Sequence, residues 1–224
     1  MVVRIILTAF FVGGKGGVGL EGVTHRTFGV IAMGAMLISA GVPPGWQAAA
    51  SLAVSALAAY GPDVDSARST ISGMVPGVGI AGRLVAHRTV THSLVMTGVI
   101  WLLLSHLAVP WFVLAGVVIG WSSHWFIDMF NREGVQLFWP MPIWVKFLPK
   151  ELGIETGGYT EKLLRRALML VEVVFLWAYF ALLVVPHLRV LPFAWNVEMW
   201  VKHNLGYLDW PILQSILHGV LRMP

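Results

Sequence analysis

Residues 87–93 read His-Arg-Thr-Val-Thr-His-Ser at the mouth of one long apolar run, and residues 124–128 read His-Trp-Phe-Ile-Asp near the end of the next. Imidazoles and carboxylates placed where hydrophobic segments meet water point to a metal centre at a membrane surface. His124 and Asp128 are four apart in a helical run, so both side chains lie on one face, a turn from each other. They can share one ion, or the carboxylate can orient the imidazole. A hydrogen-bonded polar pair inside a helix bundle has the same spacing, but ionisable groups within an apolar run are costly and usually mark function. His87 and His92 are five apart, about 140° around a regular helix, and cannot both face one ion from it. The expected arrangement caps a helix with Thr89 or Thr91, puts His92 in its first turn and brings His87 from the preceding loop. Arg88, between them, has the planar fork that suits phosphate or carboxylate. A basic juxtamembrane loop touching lipid headgroups is the lesser reading of the same residues.

Weaker candidates surround these. Asp63 and Asp65 follow Pro62 in an extended or turn segment and could bind a divalent cation or simply be solvated. His25, in Thr24-His25-Arg26, opens the first apolar run, where ligation competes with interfacial placement. Glu161 follows Thr156-Gly157-Gly158-Tyr159-Thr160 and is a candidate acid, with a helix-start glutamate as the default. Gly14-Lys15-Gly16-Gly17-Val18-Gly19 resembles a phosphate loop but continues Leu20-Glu21, without the Lys-Ser or Lys-Thr that holds phosphate and magnesium, so it reads as a linker. His106, His187, His203 and His218 are read as structural.

The elements that must position these groups are helices in a bilayer. Of 224 residues, 57% are hydrophobic and 12% charged, with a mean hydropathy of +0.77, far more apolar than a soluble domain. The net charge of +4 and pI of about 9.7 follow from membrane topology, and no nucleic-acid partner is expected. With no cysteine, a metal must be held by nitrogen and oxygen. Five apolar stretches are readable, at 27–41, 46–60, 93–109, 111–130 and 167–185. The first two are short for a 30 Å core and read as tilted spans or a re-entrant hairpin at Pro43-Pro44. If all five cross, the N-terminus and the 61–92 and 131–166 loops share one side, which carries Lys and Arg while the two short opposite turns carry none. That side is cytoplasmic by the positive-inside rule, and every polar motif falls on it. The expected fold is all-α, a polytopic integral membrane bundle of four to five spans. Its expected organisation is a lead segment at 1–22, a membrane-embedded domain at 23–186 and an interfacial helical tail at 187–224 with Trp195, Trp200, Tyr207 and Trp210.

The order of motifs carries a family resemblance. Thr-His-x-x-x-Gly at 24–29, Pro-Asp-x-Asp at 62–65, His-Arg-x-x-Thr-His-Ser at 87–93, His-x-x-x-Asp at 124–128 and Gly-Val-Gln-Leu-Phe-Trp-Pro at 134–140 together resemble the YdjM-like family of predicted membrane-bound metal-dependent hydrolases. Some members of that family are regulated by the LexA repressor. The resemblance implies an inner-membrane protein whose metal ligands come from His25, Asp63, Asp65, His87, His92, His124 and Asp128. The segment before Glu161 is similar to the family's Thr-Gly-Ser-x-x-Glu stretch, with Gly158 in place of serine. A more distant likeness is to the zinc-dependent phospholipase C and P1-nuclease group.

These readings converge on a metal-dependent hydrolase acting on a phosphoester in a membrane lipid or lipid-linked molecule, through metal-activated water. Arg88 would stabilise phosphate charge and Glu161 would move the proton. Zinc is expected first because imidazoles dominate, with manganese second because of the carboxylates. Two alternatives stand beside it. One is a non-enzymatic membrane protein with a structural metal or polar network that binds lipid or a partner; the other, a metal transporter, would place its ligands near mid-bilayer.

Overall fold

The computed structural model describes residues 19–65 and 88–184. Five helices follow in order: α1 (Gly19–Ser39), α2 (Trp46–Ala58), α3 (Leu94–His106), α4 (Trp111–Asp128) and α5 (Tyr159–Val184), with 3-10 turns at Pro62–Asp65 and Val90–His92. The all-α expectation holds, and each helix falls on one of the five apolar runs. α1 takes in residues 19–22 of the expected lead; the rest of that segment, His87 and the tail at 187–224 lie outside the described residues.

Among the described residues no helix is long and apolar enough to cross a membrane. α2 and α3 have 13 residues each, about 20 Å at 1.5 Å per residue. α4 ends in His124 and Asp128, and α5 begins with Glu161, Lys162, Arg165 and Arg166. The four to five spans expected from the apolar runs are therefore not shown by these helices.

Small residues set the packing. α2 lies against α4 and α1 crosses both. Gly116 and Gly120 on α4 face Ser51 and Ser55 on α2 so closely that a Cβ at Gly120 would stand 2.3 Å from the Ser55 carbonyl oxygen. This is the small-xxx-small contact that lets helix backbones approach. Ser55 Oγ donates to the Gly29 carbonyl at 2.9 Å, which ties α1 into the same crossing. Away from it, Val30, Met33, Leu37, Ala48, Leu52, Ala56 and Ala115 form the core. Because a methyl group at Gly120 meets backbone rather than a movable side chain, Gly120→Ala is expected to destabilise the bundle by ~1–3 kcal/mol. Thermal unfolding in detergent reads this, and an unchanged melting temperature would contradict the contact.

α5 docks on α1. The Phe175 ring occupies the space a side chain at Gly34 would need, and Tyr179 Oη donates to the Val42 carbonyl at 2.8 Å. α3 lies on the outside of α4 with no buried residue. Its start differs from the expected one: Ser93, not Thr89 or Thr91, caps it by accepting from Met96 N at 3.1 Å. His92 consequently ends a 3-10 turn before the helix instead of lying in its first turn. His106 is exposed in the last turn of α3, at the opposite end of that helix from His92.

Candidate metal centre

One end of the bundle collects the polar motifs. α1 supplies His25, α4 supplies His124 and Asp128 from its last two turns, the turn after α2 supplies Asp63, and the turn before α3 supplies His92. The glycine and serine crossing lies one turn deeper, and the close approach of α1 and α4 stacks the His25 and His124 rings at 3.7 Å and 11°. His25 thus sits inside a helix that begins earlier than its apolar run, and it does not mark the helix start.

The separations within the cluster are informative. His124 Nε2 lies 3.4 Å from Asp63 Oδ1 and 3.6 Å from Asp128 Oδ2. His92 Nε2 lies 3.4 Å from Asp128 Oδ2 and 3.9 Å from Asp63 Oδ1, and His25 Nε2 lies 3.5 Å from Asp128 Oδ1. These are longer than N–H···O hydrogen bonds. They match the ~3.4 Å between neighbouring ligand atoms of a tetrahedral ion with bonds of ~2.0–2.1 Å. His92, His124 and Asp128 are almost fully buried, so no solvent screens them.

Tautomers strengthen the case for a cation. His124 Nδ1 is 2.6 Å from the Ala59 carbonyl, which can only accept, so Nδ1 carries the hydrogen. In the neutral ring Nε2 then presents a lone pair to two carboxylates, and this nitrogen has no hydrogen-bond partner among the described residues. Nε2 buried against two carboxylates calls for positive charge at this point, which a bound cation or a proton on Nε2 supplies. The donor set therefore fits a divalent ion, with His25–Asp63–His124 and His92–His124–Asp128 as the two groups able to hold it. His124 belongs to both groups, so the two form one centre.

An outer layer holds these side chains in place. Asp65, expected among the ligands, instead faces the far side of His92: its Oδ2 is 3.5 Å from Nδ1 and accepts from Thr91 Oγ1 and from Arg88 N. It holds Thr91 Oγ1, which lies 3.0 Å from His92 Nδ1, and so orients the imidazole through that hydroxyl, as metal-bound histidines require. Asn131 Nδ2 donates to Asp128 Oδ1 at 2.7 Å, a contact the sequence reading missed although Asn131 lies three residues beyond Asp128. Asp65→Ala is expected to weaken metal binding ~10–100-fold without abolishing it, the usual cost of an outer partner. Titration of the purified variant with zinc checks this; complete loss of binding would return Asp65 to the ligand set.

The remaining expected residues border the same cleft. Arg88 has φ 63°, a left-handed conformation uncommon for a non-glycine residue, and it is pinned by Arg88 N donating to Asp65 and by Gln136 N donating to the Arg88 carbonyl. Its Nε is 3.4 Å from Asp128 and its Nη1 donates to Glu133 at 3.0 Å. Glu161, in the first turn of α5, accepts from Thr24 Oγ1 at 3.0 Å and from Gly157 N at 2.5 Å. Gly157, with φ 75°, makes the turn that aims its N–H at this carboxylate. The cleft, with about 30 Å³ of free space, is lined by the polar His25, Asp63, Arg88, Asp128 and Glu161 and by the apolar Ile127, Ile154 and Leu164.

Comparison with known proteins agrees with this arrangement of motifs. The chain is 30% identical over 162 residues to the uncharacterized protein YvsG of Bacillus subtilis (strain 168), an alignment covering 72% of this chain and 97% of that protein. No solved structure matches. The family model described as YdjM inner membrane protein matches residues 20–190, which include all the described site residues, and the chain belongs to that family.

Proposed function

We propose that this protein is a membrane-bound, metal-dependent hydrolase of a phosphoester carried by a lipid or lipid-linked molecule. The observation that supports this reading is the meeting of three imidazoles and two carboxylates beside a cleft that His25, Asp63 and Asp128 line together with an arginine and a glutamate. His25, Asp63, His92, His124 and Asp128 are the residues that would hold the ion, zinc first and manganese second. When bound, such an ion polarises a phosphoryl oxygen and lowers the pKa of water toward neutrality. Arg88, fixed between Asp128 and Glu133, places a cationic fork at the cleft for the phosphate. Glu161, oriented by Thr24 and Gly157, takes up a proton from water at the cleft. The apolar helices lie in the inner membrane with the centre on its cytoplasmic side, as the distribution of Lys and Arg supports.

Metal analysis and a phosphoester panel on the full chain in detergent test the reading. Glu161→Gln is expected to keep the ion and lose ~100-fold or more in hydrolysis, the range of a general acid or base. A fully metallated protein that turns over no phosphoester would favour a second reading, a closed structural site. The near-complete burial of His92, His124 and Asp128 is the observation on that side.

A further inference from the structure

Residues 132–153 leave the cleft and return to it. At the neck, Asn131 bridges Ile154, and Ile154 N donates to the Phe130 carbonyl at 2.9 Å; Asn131 and Ile154 themselves line the cleft. The excursion is firmly built. Val135 and Val145 exchange two backbone hydrogen bonds at 2.8 and 3.0 Å, Phe147 N donates to the Met129 carbonyl, and Leu94 N donates to the Leu137 carbonyl. Phe147 also packs on Phe130 and Phe126 at 5.0 and 5.6 Å between ring centres.

Having been ordered at this cost, the loop then turns its large apolar side chains outward. Phe138, Met141, Ile143, Trp144 and Leu152 are 46–70% exposed, a patch that a soluble surface rarely carries. Between residues 134 and 150 there are two lysines, Lys146 and Lys150, both exposed, and no acidic side chain. Outside that stretch Arg132 is paired with Glu155 and Glu133 with Arg88, and the exposed Glu151 offsets one lysine, so the loop keeps a small positive balance (Arg132, Lys146 and Lys150 against Glu133 and Glu151). Aromatic and aliphatic tips flanked by cations are the composition that seats in the headgroup layer of an anionic leaflet.

We infer that the 132–153 loop is an interfacial wedge that inserts its tip into an anionic lipid leaflet and so holds the mouth of the cleft at headgroup depth. Taken with the hydrolase reading, on which this part of the inference rests, the substrate phosphate belongs to a leaflet lipid and not to a soluble ester. Ile127, Ile154 and Leu164 in the lining of the cleft suit the start of an acyl or prenyl stem.

The absence of cysteine makes the test direct. Ile143→Cys and Trp144→Cys, introduced one at a time into the full chain and labelled with a fluorophore, are reconstituted in vesicles of phosphatidylglycerol and phosphatidylethanolamine, with Glu155→Cys as the exposed control. Labels at 143 and 144 are expected to be quenched by shallow spin-labelled lipids and protected from aqueous iodide, and the 155 label to show the reverse. Lys146→Gln and Lys150→Gln should each shift the inserted fraction about 5-fold toward water in anionic vesicles, the effect of one basic residue near such a surface, and leave it unchanged in phosphatidylcholine. Labels at 143 and 144 open to iodide would overturn the wedge, as would labels shielded from both quenchers by a second copy of the chain. Hydrolysis is scored separately on one phosphoester presented in vesicles and as a short-chain soluble analogue. Equal loss of both in the lysine variants overturns the assignment of a leaflet substrate. Absence of any hydrolysis with the quenching pattern intact would sink the hydrolase reading alone.

Discussion

His92→Ala is expected to empty the metal centre while the helix bundle stays folded. His92 lies in the turn before α3, outside the α1, α2 and α4 crossing, so its removal leaves that packing untouched. Its Nε2 is one of the atoms that converge on Asp128 Oδ2, and losing it should cost more than the ~10–100-fold in affinity that an outer partner costs. The native protein at a metal concentration of 100 times its Kd should gain ~2.7 kcal/mol of stability from the ion. A chelator should therefore lower the melting temperature of the native protein and leave that of the variant unmoved. If the imidazole serves only a buried polar network, the outcome inverts: metal content is unchanged and the variant melts lower at every metal concentration. Metal stoichiometry and chelator-dependent melting on one detergent preparation separate the two cases.

Glu172→Ala is expected to be the most damaging substitution outside the centre. Glu172 on α5 and Arg26 on α1 form an ion pair at 3.4 Å with side chains 4% and 6% exposed, and Arg26 Nη2 also donates to Thr27 Oγ1. Removing one partner of such a pair leaves a charge in an apolar setting and should cost ~3–5 kcal/mol. Glu172 is eleven residues, about three turns, beyond Glu161, so both lie on the face of α5 that meets α1. Loosening this pair should therefore also disturb the Thr24–Glu161 contact at the cleft. A double replacement, Arg26→Met with Glu172→Leu, is expected to recover most of the stability, since a well-packed apolar pair is often as stable as a buried ionic one. A single variant as stable as the native protein would mean that the pair is solvated.

The apolar runs, read along the chain, anticipate all five helices, because burying a run of nonpolar side chains depends on local composition and needs no knowledge of partners. The grouping of polar motifs at one end was legible for the same reason: alternating antiparallel segments return every second connection to one side. The structure brings His25, Asp63, His92, His124 and Asp128 together there, as the motif order implied.

Sequence could not decide which polar atom faces which. Asp63 and Asp65 are alike in type and two residues apart, yet the 3-10 turn at Pro62–Asp65 points one at the cluster and the other at the back of His92. Arg26 counts as a surface cation when charges are tallied by loop, whereas its partner, Glu172, lies 146 residues away on α5 and turns it inward. Composition and periodicity thus determined by themselves that this is an all-helical, strongly apolar chain with imidazoles and carboxylates at one end. Which of those groups touch, and which merely hold the others in place, was decided only by tertiary structure. Ligand geometry depends on separations of a few tenths of an ångström between atoms far apart in the chain, and those are set by helix crossings at Gly29, Gly116 and Gly120 whose partners the local pattern of small residues does not name.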